Sequence, residues 1–360
     1  MIVAHPARVH EASLRLRSRN AGLSMIELMV AITLSMVIAL AVTSLFNNTS
    51  VARKEIDNTG AQIENGRYAM ALLRDDVRLA GYYGEFVPPN AGITWQLPAN
   101  PCDPTRANLG WNATGTNVPV AISGYEGHDP AIAALSPQCI ANRVSGSDVL
   151  VVRRAATSSM APPPSAANTP YLQVSLQTPL CPTAEAQFVL GVVGSPSPFT
   201  LHQRDCTTAS LIRQYLVHIY YVSTCDDCSA NDGIPTLKRV DLTGATMTTT
   251  SLAQGVADFR VDYGLDTNND GFPDAYKKCG ADVSYTGPCA VSDWANVVTV
   301  KVYLLARNLT STPGYVDDKS YVMGLAGTLP SFSGADRAYK RHLYSAPIRV
   351  IGQSDLRELP

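Results

Sequence analysis

A long uncharged segment near the N-terminus constrains this chain more than any other feature of its sequence. From Leu23 to Ala52 the single charged residue is Glu27, and the other residues are apolar or small and polar. An α-helix rises about 1.5 Å per residue, so Leu23–Phe46 is long enough to cross the hydrocarbon core of a bilayer. The segment therefore predicts a membrane-spanning helix with one carboxylate close to its beginning.

Glu27 is costly in such a helix. A charged side chain near the bilayer centre costs roughly 2.5–3.5 kcal/mol on insertion scales. The span contains no residue of opposite charge. We therefore expect Glu27 to have a partner from outside the span.

The residues before the span are basic: Arg8, Arg15, Arg17 and Arg19 stand against Glu11. A net charge of +3 there and −2 over the whole chain leaves the remainder near −5. A basic leader before an apolar span favours a cytoplasmic N-terminus and an exported remainder. The acidic balance of that remainder indicates no nucleic-acid partner, because such proteins neutralise phosphates with basic patches.

The junction between leader and span resembles the class III signal of type IV prepilins and type II secretion pseudopilins. That family has a basic leader, a Gly at the cleavage point, an apolar residue and a Glu at the fifth mature position. Here these positions are Gly22, Leu23 and Glu27, with Leu in place of the commoner Phe. The resemblance implies cleavage after Gly22 by the prepilin peptidase, methylation of the new N-terminus and an assembly role for Glu27. The alternative is an ordinary signal anchor.

The next segment continues the helix. Ile56, Ile63, Met70 and Val77 recur every seven residues, which predicts one apolar stripe, and Gly81 suits the C-terminal cap. Gly60 and Gly66 weaken this part and favour a bend or local melting. The phrases at 66–69 and 72–84, which end in Ala-Gly-Tyr-Tyr-Gly, resemble the same segment of PilW-type minor pilins.

Strand patterns begin after loop-rich residues 84–146. The predicted strands are Asp148–Arg153, Tyr171–Gln177, Gln187–Val193, Tyr215–Val222, Thr236–Leu242, Ala257–Tyr263, Val297–Ala306 and Tyr339–Ile351. One long helix followed by such strands predicts an α+β, pilin-like fold, with the helix packed on an antiparallel sheet. The predicted parts are a cleaved leader (1–22), a membrane and assembly half of the helix (23–46), an amphipathic half (47–81) and a β-rich head (82–360).

The eight cysteines all follow the membrane segment: Cys102, Cys139, Cys181, Cys206, Cys225, Cys228, Cys279 and Cys289. An even number in an exported region predicts disulfides, but the sequence does not choose among the pairings. Cys225 and Cys228 form a Cys-x-x-Cys that also occurs in zinc and redox sites. No second ligand pair at zinc spacing and no βαβ pattern accompanies it, so disulfides are favoured, between these two or to distant partners.

An acidic turn resembles the first half of a calcium loop. Asp266, Asn268 and Asp270 precede a Gly at the spacing of oxygen ligands, and Asp274 follows. Lys277 occupies the position of the bidentate Glu, so the sequence predicts a weak calcium site that is not an EF-hand. The alternative is a solvated Asn/Asp/Gly turn.

The resemblance implies a non-catalytic minor pilin that helps to prime and assemble the type IV pilus. Its expected partners are other minor pilins, the major pilin, a tip adhesin, the prepilin peptidase and inner-membrane lipid. It is expected in the inner membrane with a periplasmic head, and then in the fibre near the tip. A J-type pseudopilin of type II secretion has the same signal. A membrane-tethered periplasmic enzyme is the third hypothesis, although no catalytic motif is present in the sequence.

Overall fold

The computed structural model describes residues 22, 24–86, 93–112, 115–135, 138–164, 166–178, 180–194, 196–280, 289–329, 332–354 and 357. Leu23 and the predicted leader before Gly22 lie outside the described residues. The chain divides into two compact units, one ending at Ile56 and the other beginning at Asp57. The predicted part boundaries remain predictions.

The first element is helix α1, Met25–Arg78, and the predicted long N-terminal helix is confirmed. By length and composition it contains a stretch that can cross a membrane, and none of that stretch is buried. Within the first unit, the large apolar side chains from Met25 to Phe46 are 50–85% exposed. The first unit therefore presents an apolar helix surface without a covering layer.

In the second unit, the buried face of α1 differs from the predicted stripe. Met70 and Val77 of the apolar stripe are buried, whereas Ile63 is 40% exposed. A strict seven-residue spacing falls about 20° behind a straight helix per repeat, so Ile63 lies about 40° from Val77 around the axis. The buried residues of α1 are Gln62, Gly66, Ala69, Met70, Leu73, Asp76 and Val77. Two of them, Gln62 and Asp76, are polar.

Strands dominate the second unit. The described strands are β1 (Thr94–Gln96), β2 (Asn117–Pro119), β3 (Ile122–Tyr125), β4 (Val149–Ala155), β5 (Tyr171–Val174), β6 (Phe188–Gly191), β7 (Ile212–Ser223), β8 (Thr236–Thr243), β9 (Thr246–Gln254), β10 (Val256–Leu265), β11 (Ala275–Lys277), β12 (Val297–Arg307) and β13 (Arg341–Arg349). Short α-helices are α2 (Ile132–Leu135), α3 (Val291–Ala295) and α4 (Ile351–Ser354), and 3-10 turns lie at Arg106–Asn108, Gly324–Ala326 and Gly334–Ala338.

The strands of the described residues form two antiparallel sheets and one parallel pair. The seven-stranded sheet is organised around β7, which pairs with β4, β5 and β8. The four-stranded sheet has the order β11-β10-β12-β13, and β1 pairs with β2 in parallel. The α+β class with antiparallel pairing is thus confirmed, and the expectation of one sheet is corrected to two. The predicted hairpin across 225–233 is the β7–β8 pair.

Strand β9 was not predicted. It is a run of Thr and Ser residues, mostly exposed, that pairs with β8. The sequence shows no apolar alternation there because neither face of most of the strand is buried. The β-branched shape of Thr still suits an extended backbone. The last predicted strand is shorter than expected, because α4 begins at Ile351.

The core of the second unit joins the end of α1 to both large sheets. Leu73 and Val77 pack in the same cluster as Tyr220 of β7, Val261 of β10 and Val302 of β12. Gln62, although polar, is also buried, because its side-chain amide donates to the carbonyl oxygens of Ala306 (2.9 Å) and Lys340 (3.0 Å). These bonds satisfy the buried amide, which would otherwise be costly among apolar side chains.

Candidate functional site

Glu27 lies in a capping box at the beginning of α1. Its Oε2 accepts the backbone N–H of Ser24 at 3.0 Å, and the Ser24 hydroxyl oxygen accepts the N–H of Ile26 at 3.2 Å. A Ser-x-x-Glu sequence is typical of a helix N-terminus, where side chains satisfy amides without an intrahelical acceptor. The span therefore does supply one partner for the carboxylate, which the sequence reasoning missed. That partner is an uncharged amide.

Three hydroxyl groups of the span, and one shortly after it, donate hydrogen bonds within the helix. Thr33, Thr43 and Thr49 each donate to the carbonyl oxygen four residues earlier at 2.8–3.0 Å. Ser35 donates to the carbonyl of Ile32 at 2.9 Å. Polar groups in lipid need internal partners because the hydrocarbon offers none. Glu27 differs from these hydroxyl groups, because the span contains no opposite charge for its carboxylate and the partner must come from outside.

Gly22 lies in open space. A Cβ built on it would meet no atom within 4 Å, and its φ is not in the left-handed region. Within the described residues, therefore, neither packing nor backbone conformation requires glycine at this position.

A buried charged network, missed by the sequence analysis, fixes the end of α1 to the seven-stranded sheet. The Asp76 carboxylate accepts bonds from His218 Nδ1 (2.7 Å), the Tyr220 hydroxyl (2.8 Å) and Arg154 Nε (2.7 Å). The other ring nitrogen of His218 lies 3.5 Å from an Asp241 oxygen. The position of His218 between two carboxylates fits a structural role.

The electrostatics of this network favour a charged Asp76. Burial alone opposes ionisation, but His218 and Arg154 outweigh it, so the pKa of Asp76 is far below its ordinary value. Burial raises the pKa of Tyr220, and the adjacent Asp76 carboxylate raises it further. Tyr220 therefore remains a hydrogen-bond donor throughout the pH range in which the fold operates.

The acidic turn is closed by its own hydrogen bonds. Asp266 is fully buried and accepts the N–H groups of Asn269 (2.7 Å), Asp270 (3.3 Å) and Gly271 (2.9 Å). Arg357 Nη1 lies 3.3 Å from its Oδ2. A carboxylate held by three amides and a guanidinium has few lone pairs to offer a cation.

The other candidate calcium ligands also bond within the turn. Asp274 Oδ2 accepts the N–H and the hydroxyl of Thr267, both at 2.7 Å, and these bonds lower its pKa. The Asn268 amide donates to Asp270 Oδ2 at 3.1 Å. Across the described part of the chain, no group of three or more His, Cys, Asp or Glu side chains is placed to hold a metal. These side chains, as placed, do not fit calcium, and the calcium site stays a prediction.

All eight cysteines form disulfides, as the sequence analysis predicted. The pairs are Cys102–Cys139, Cys181–Cys206, Cys225–Cys228 and Cys279–Cys289. Cys225–Cys228 is the tight-loop alternative of the sequence analysis. The sequence separations are 37, 25, 3 and 10 residues, so each disulfide closes a segment of fewer than 40 residues.

A cavity of about 550 Å³ opens beside β10. Its titratable side chains are His128, Asp258, Arg260, Arg307, Asp336 and Arg341. Arg260 holds Asp258 through two hydrogen bonds of 2.9 and 3.0 Å, and Asp336 lies 3.1 Å from Arg307 and 2.8 Å from Arg341. Both carboxylates are thus occupied by guanidinium groups, which makes them poor general bases.

Two family models match this chain. Residues 17–43 match the prokaryotic N-terminal methylation motif, and residues 219–351 match Type IV Pilus-assembly protein W. The first match contains Gly22, Leu23 and Glu27. The second runs from within β7 to the start of α4. It includes the whole four-stranded sheet but only the end of β7, β8 and β9 of the seven-stranded sheet. The segment at 66–84, which was predicted to be the most PilW-like part beyond the signal, lies outside both matches.

No curated protein matches the chain. Among solved structures, a type IV-like pilin, TTHA1219 from Thermus thermophilus, shares 12% sequence identity over 59% of this chain and 82% of its own length. The TM-score of that superposition is 0.26. A score this low does not establish a common fold.

Proposed function

On the premise that this chain resembles PilW-type minor pilins, with an N-terminal methylation motif and a pilus-assembly W segment, we propose that it helps to prime and assemble the type IV pilus. It acts by helix-to-helix association in the membrane and performs no catalysis. The match to a pilus-assembly family favours the pilus over a type II secretion system.

One observation carries the proposal: the exposed apolar part of α1, Met25–Phe46, has a single charged residue, which lies in its first turn. The side chains of Met25–Phe46 need lipid or neighbouring helices to cover them, because contact between their apolar surface and water is unfavourable. In the described structure, Glu27 has an amide but no cation as partner. The free amine created by cleavage after Gly22, on this subunit or on its neighbour, would neutralise that carboxylate and set the register between helices.

The proposed partners follow from this geometry. The prepilin peptidase would cut after Gly22 and methylate Leu23, and inner-membrane lipid would hold the helix before assembly. Major and minor pilins would then replace the lipid around α1. The basic leader supports a cytoplasmic start, and the disulfides support a periplasmic head. A position near the fibre tip, next to an adhesin, is part of the proposal.

The non-catalytic part of the proposal has local support. His218 is buried between Asp76 and Asp241, and the two carboxylates at the cavity beside β10 are paired with arginines. These groups are committed to structural contacts. They do not favour the alternative of a tethered enzyme.

Two substitutions of Glu27 test the charge-pairing step. Glu27→Gln keeps an oxygen acceptor for the Ser24 N–H and removes the charge, whereas Glu27→Ala removes both. If an amine is the partner, both variants should be cleaved normally and should be reduced roughly tenfold or more in sheared pili, measured by quantitative mass spectrometry.

The matched control is Glu64→Ala, which removes an exposed carboxylate from the same helix within the second unit. It should be incorporated like the wild type. Normal incorporation of Glu27→Gln would show that capping, and not charge pairing, is the role of Glu27. Normal incorporation of both Glu27 variants would contradict the proposed assembly step.

A further inference from the structure

The Cys225–Cys228 disulfide has surroundings that differ from those of the other three. It lies in the loop between β7 and β8, where Cys225 is buried and Cys228 is half-buried. Only Asp226 and Asp227 separate the two cysteines. Reduction of this bond therefore opens a loop with two intervening residues. The other disulfides close longer loops, with sequence separations of 10, 25 and 37.

A buried ammonium group contacts the half-buried sulfur. Lys238 of β8 is 8% exposed, and its Nζ lies 2.9 Å from the Asp226 carbonyl oxygen and 3.6 Å from Cys228 Sγ. Both of these acceptors are uncharged while the disulfide is intact. Reduction would place a thiolate at Cys228 next to the ammonium, and a nearby positive charge stabilises a thiolate.

A hydroxyl group serves both sulfurs. Ser223 Oγ lies 3.7 Å from Cys225 Sγ and 3.6 Å from Cys228 Sγ, and Thr224 Oγ1 lies 3.7 Å from Cys225 Sγ. A hydroxyl can rotate its proton toward whichever sulfur carries the charge. A thiolate that forms at either cysteine therefore finds a donor already in place.

The loop also contains opposing charges. The carboxylates of Asp226, Asp227 and Asp232 lie near the disulfide, and Asp227 and Asp232 are occupied by amide N–H groups of their own loop. Asp226 Oδ2 accepts a bond of 2.6 Å from the Gln254 side chain. Of these charged neighbours, the Lys238 ammonium is the one that contacts a sulfur atom directly.

We propose that Cys225–Cys228 is a redox-active disulfide that exchanges with thiols and disulfides of other proteins in the exported compartment. Cys228 is the exchanging cysteine, because it is the more exposed of the two and contacts Lys238. Cys225, which is buried, is the resolving cysteine. This activity is separate from the assembly role of α1.

The reductant in this exchange is a protein dithiol. One of its thiolates attacks Cys228 Sγ, the Cys225–Cys228 bond breaks, and Cys225 leaves as a thiolate that takes up a proton. The second thiol of the dithiol, after losing its proton, attacks the mixed disulfide and releases Cys228 as a thiolate beside Lys238. Two electrons pass to the cysteine pair, and the dithiol becomes a disulfide. In reverse, the Cys228 thiolate attacks a disulfide of the partner protein, and Cys225 resolves the intermediate.

The experiment equilibrates the full chain, in detergent, with graded ratios of reduced to oxidised glutathione. Free thiols are then trapped with an alkylating reagent and assigned to each cysteine by mass spectrometry. Cys225–Cys228 should open at the least reducing ratios of the four disulfides. Cys181–Cys206 is the internal control, because both cysteines are half-buried and Cys206 Sγ contacts the uncharged Arg204 carbonyl oxygen at 3.8 Å.

Lys238→Met tests the source of the effect. The equilibrium constant for reducing Cys225–Cys228 should fall roughly tenfold, or about 30 mV, and Lys238→Arg should restore it. In the reduced wild type, the alkylation rate of Cys228 should also reach half of its maximum at a pH below about 8.5, which is the pKa of an ordinary thiol.

Two results would overturn the proposal. The first is opening of Cys225–Cys228 in the wild type at no less reducing a ratio than Cys181–Cys206. The second is an alkylation profile of Cys228 that matches an ordinary thiol. Both measurements use the wild type, so they decide the matter even if Lys238→Met fails to fold.

Discussion

At the scale of single residues, Asp76 shows how a carboxylate can fix a helix to a sheet. The surrounding residues, Arg74, Asp75 and Arg78, are charged, which is typical of a solvated helix face. The partners His218 and Tyr220 lie 142 and 144 residues away, so no local sequence pattern predicts them. One signal was present: Asp76 follows Leu73 by three residues and precedes Ala80 by four, which places it on the apolar face of the helix.

We expect Asp76→Asn to destabilise the second unit by about 3 kcal/mol at neutral pH. The substitution leaves Arg154 and His218 without their buried counter-charge, and breaking one side of a buried pair is strongly destabilising. The measurement is thermal unfolding of the full chain in detergent. Asp75→Asn is the control, because Asp75 is exposed on the next position of the same helix, and it should change stability by less than about 0.5 kcal/mol.

The pH dependence of that difference has a definite sign. Because the folded-state pKa of Asp76 is depressed, its contribution is present above the ordinary Asp pKa and is lost as the pH falls through the folded-state value. The gap between wild type and Asp76→Asn should therefore persist down to about pH 4 and shrink only in stronger acid. A gap that vanishes between pH 7 and pH 5 would show that Asp76 is not held in its charged form.

Asp266 gives a second prediction at this scale. Asp266→Ala removes the acceptor of three backbone N–H groups, so we expect a loss of at least about 2 kcal/mol, equal in millimolar calcium and in excess chelator. Asp270→Ala, at an exposed position, is the control and should cost much less. A rise in the melting temperature of the wild type with calcium, lost in Asp270→Ala, would instead support the calcium site that the sequence predicts.

At the scale of secondary-structure elements, Gly66 is a contact point and not a bend. Helix α1 continues through it, and the ring of Tyr344 from β13 occupies the space that a Cβ would need. The Tyr344 hydroxyl also lies 3.5 Å from the Ile63 carbonyl oxygen. The sequence analysis singled out this glycine but predicted a bend or local melting there. The sequence of the helix does not show that a strand about 280 residues away packs against it.

Gly66→Ala should therefore destabilise the chain by about 1–3 kcal/mol, the cost of overpacking, despite the higher helix propensity of Ala. Gly60→Ala is the matched control on the same helix, since a Cβ there meets no atom within 4 Å. It should stabilise by up to about 1 kcal/mol. Thermal unfolding of both variants, and of Gly66→Ala combined with Tyr344→Ala, measures the effect. Equal behaviour of the two glycines would contradict the proposed contact.

The strands show what periodicity can and cannot predict. The buried strands β4, β7, β10 and β12 were found because runs of Val, Ile, Leu and Tyr are typical of sheet cores. The exposed strand β9 and the three-residue strands were missed. Their extended form depends on pairing with neighbours in the sheet, which a local window of sequence does not contain.

At the scale of the whole molecule, the sequence predicted the order of parts better than their contacts. The apolar helix, the class of the fold and the presence of disulfides followed from composition and spacing, which are local properties. The division into two sheets and the Asp76 network required residues far apart in sequence to meet. The disulfide partners are closer in sequence, but spacing alone does not choose among the possible pairings. The predicted assembly residue, Glu27, was found because a lone carboxylate in an apolar run is conspicuous, whereas its capping bond to Ser24 was overlooked.

The central claim, that this chain is processed and assembled as a pilin, is tested most directly at its N-terminus. The measurement is mass spectrometry of the N-terminal peptide from the protein recovered in sheared surface pili. The account predicts a peptide that begins at Leu23 with a methylated amine. Recovery of a chain that still contains Gly22 and its basic leader, or that begins at any other residue, would contradict it.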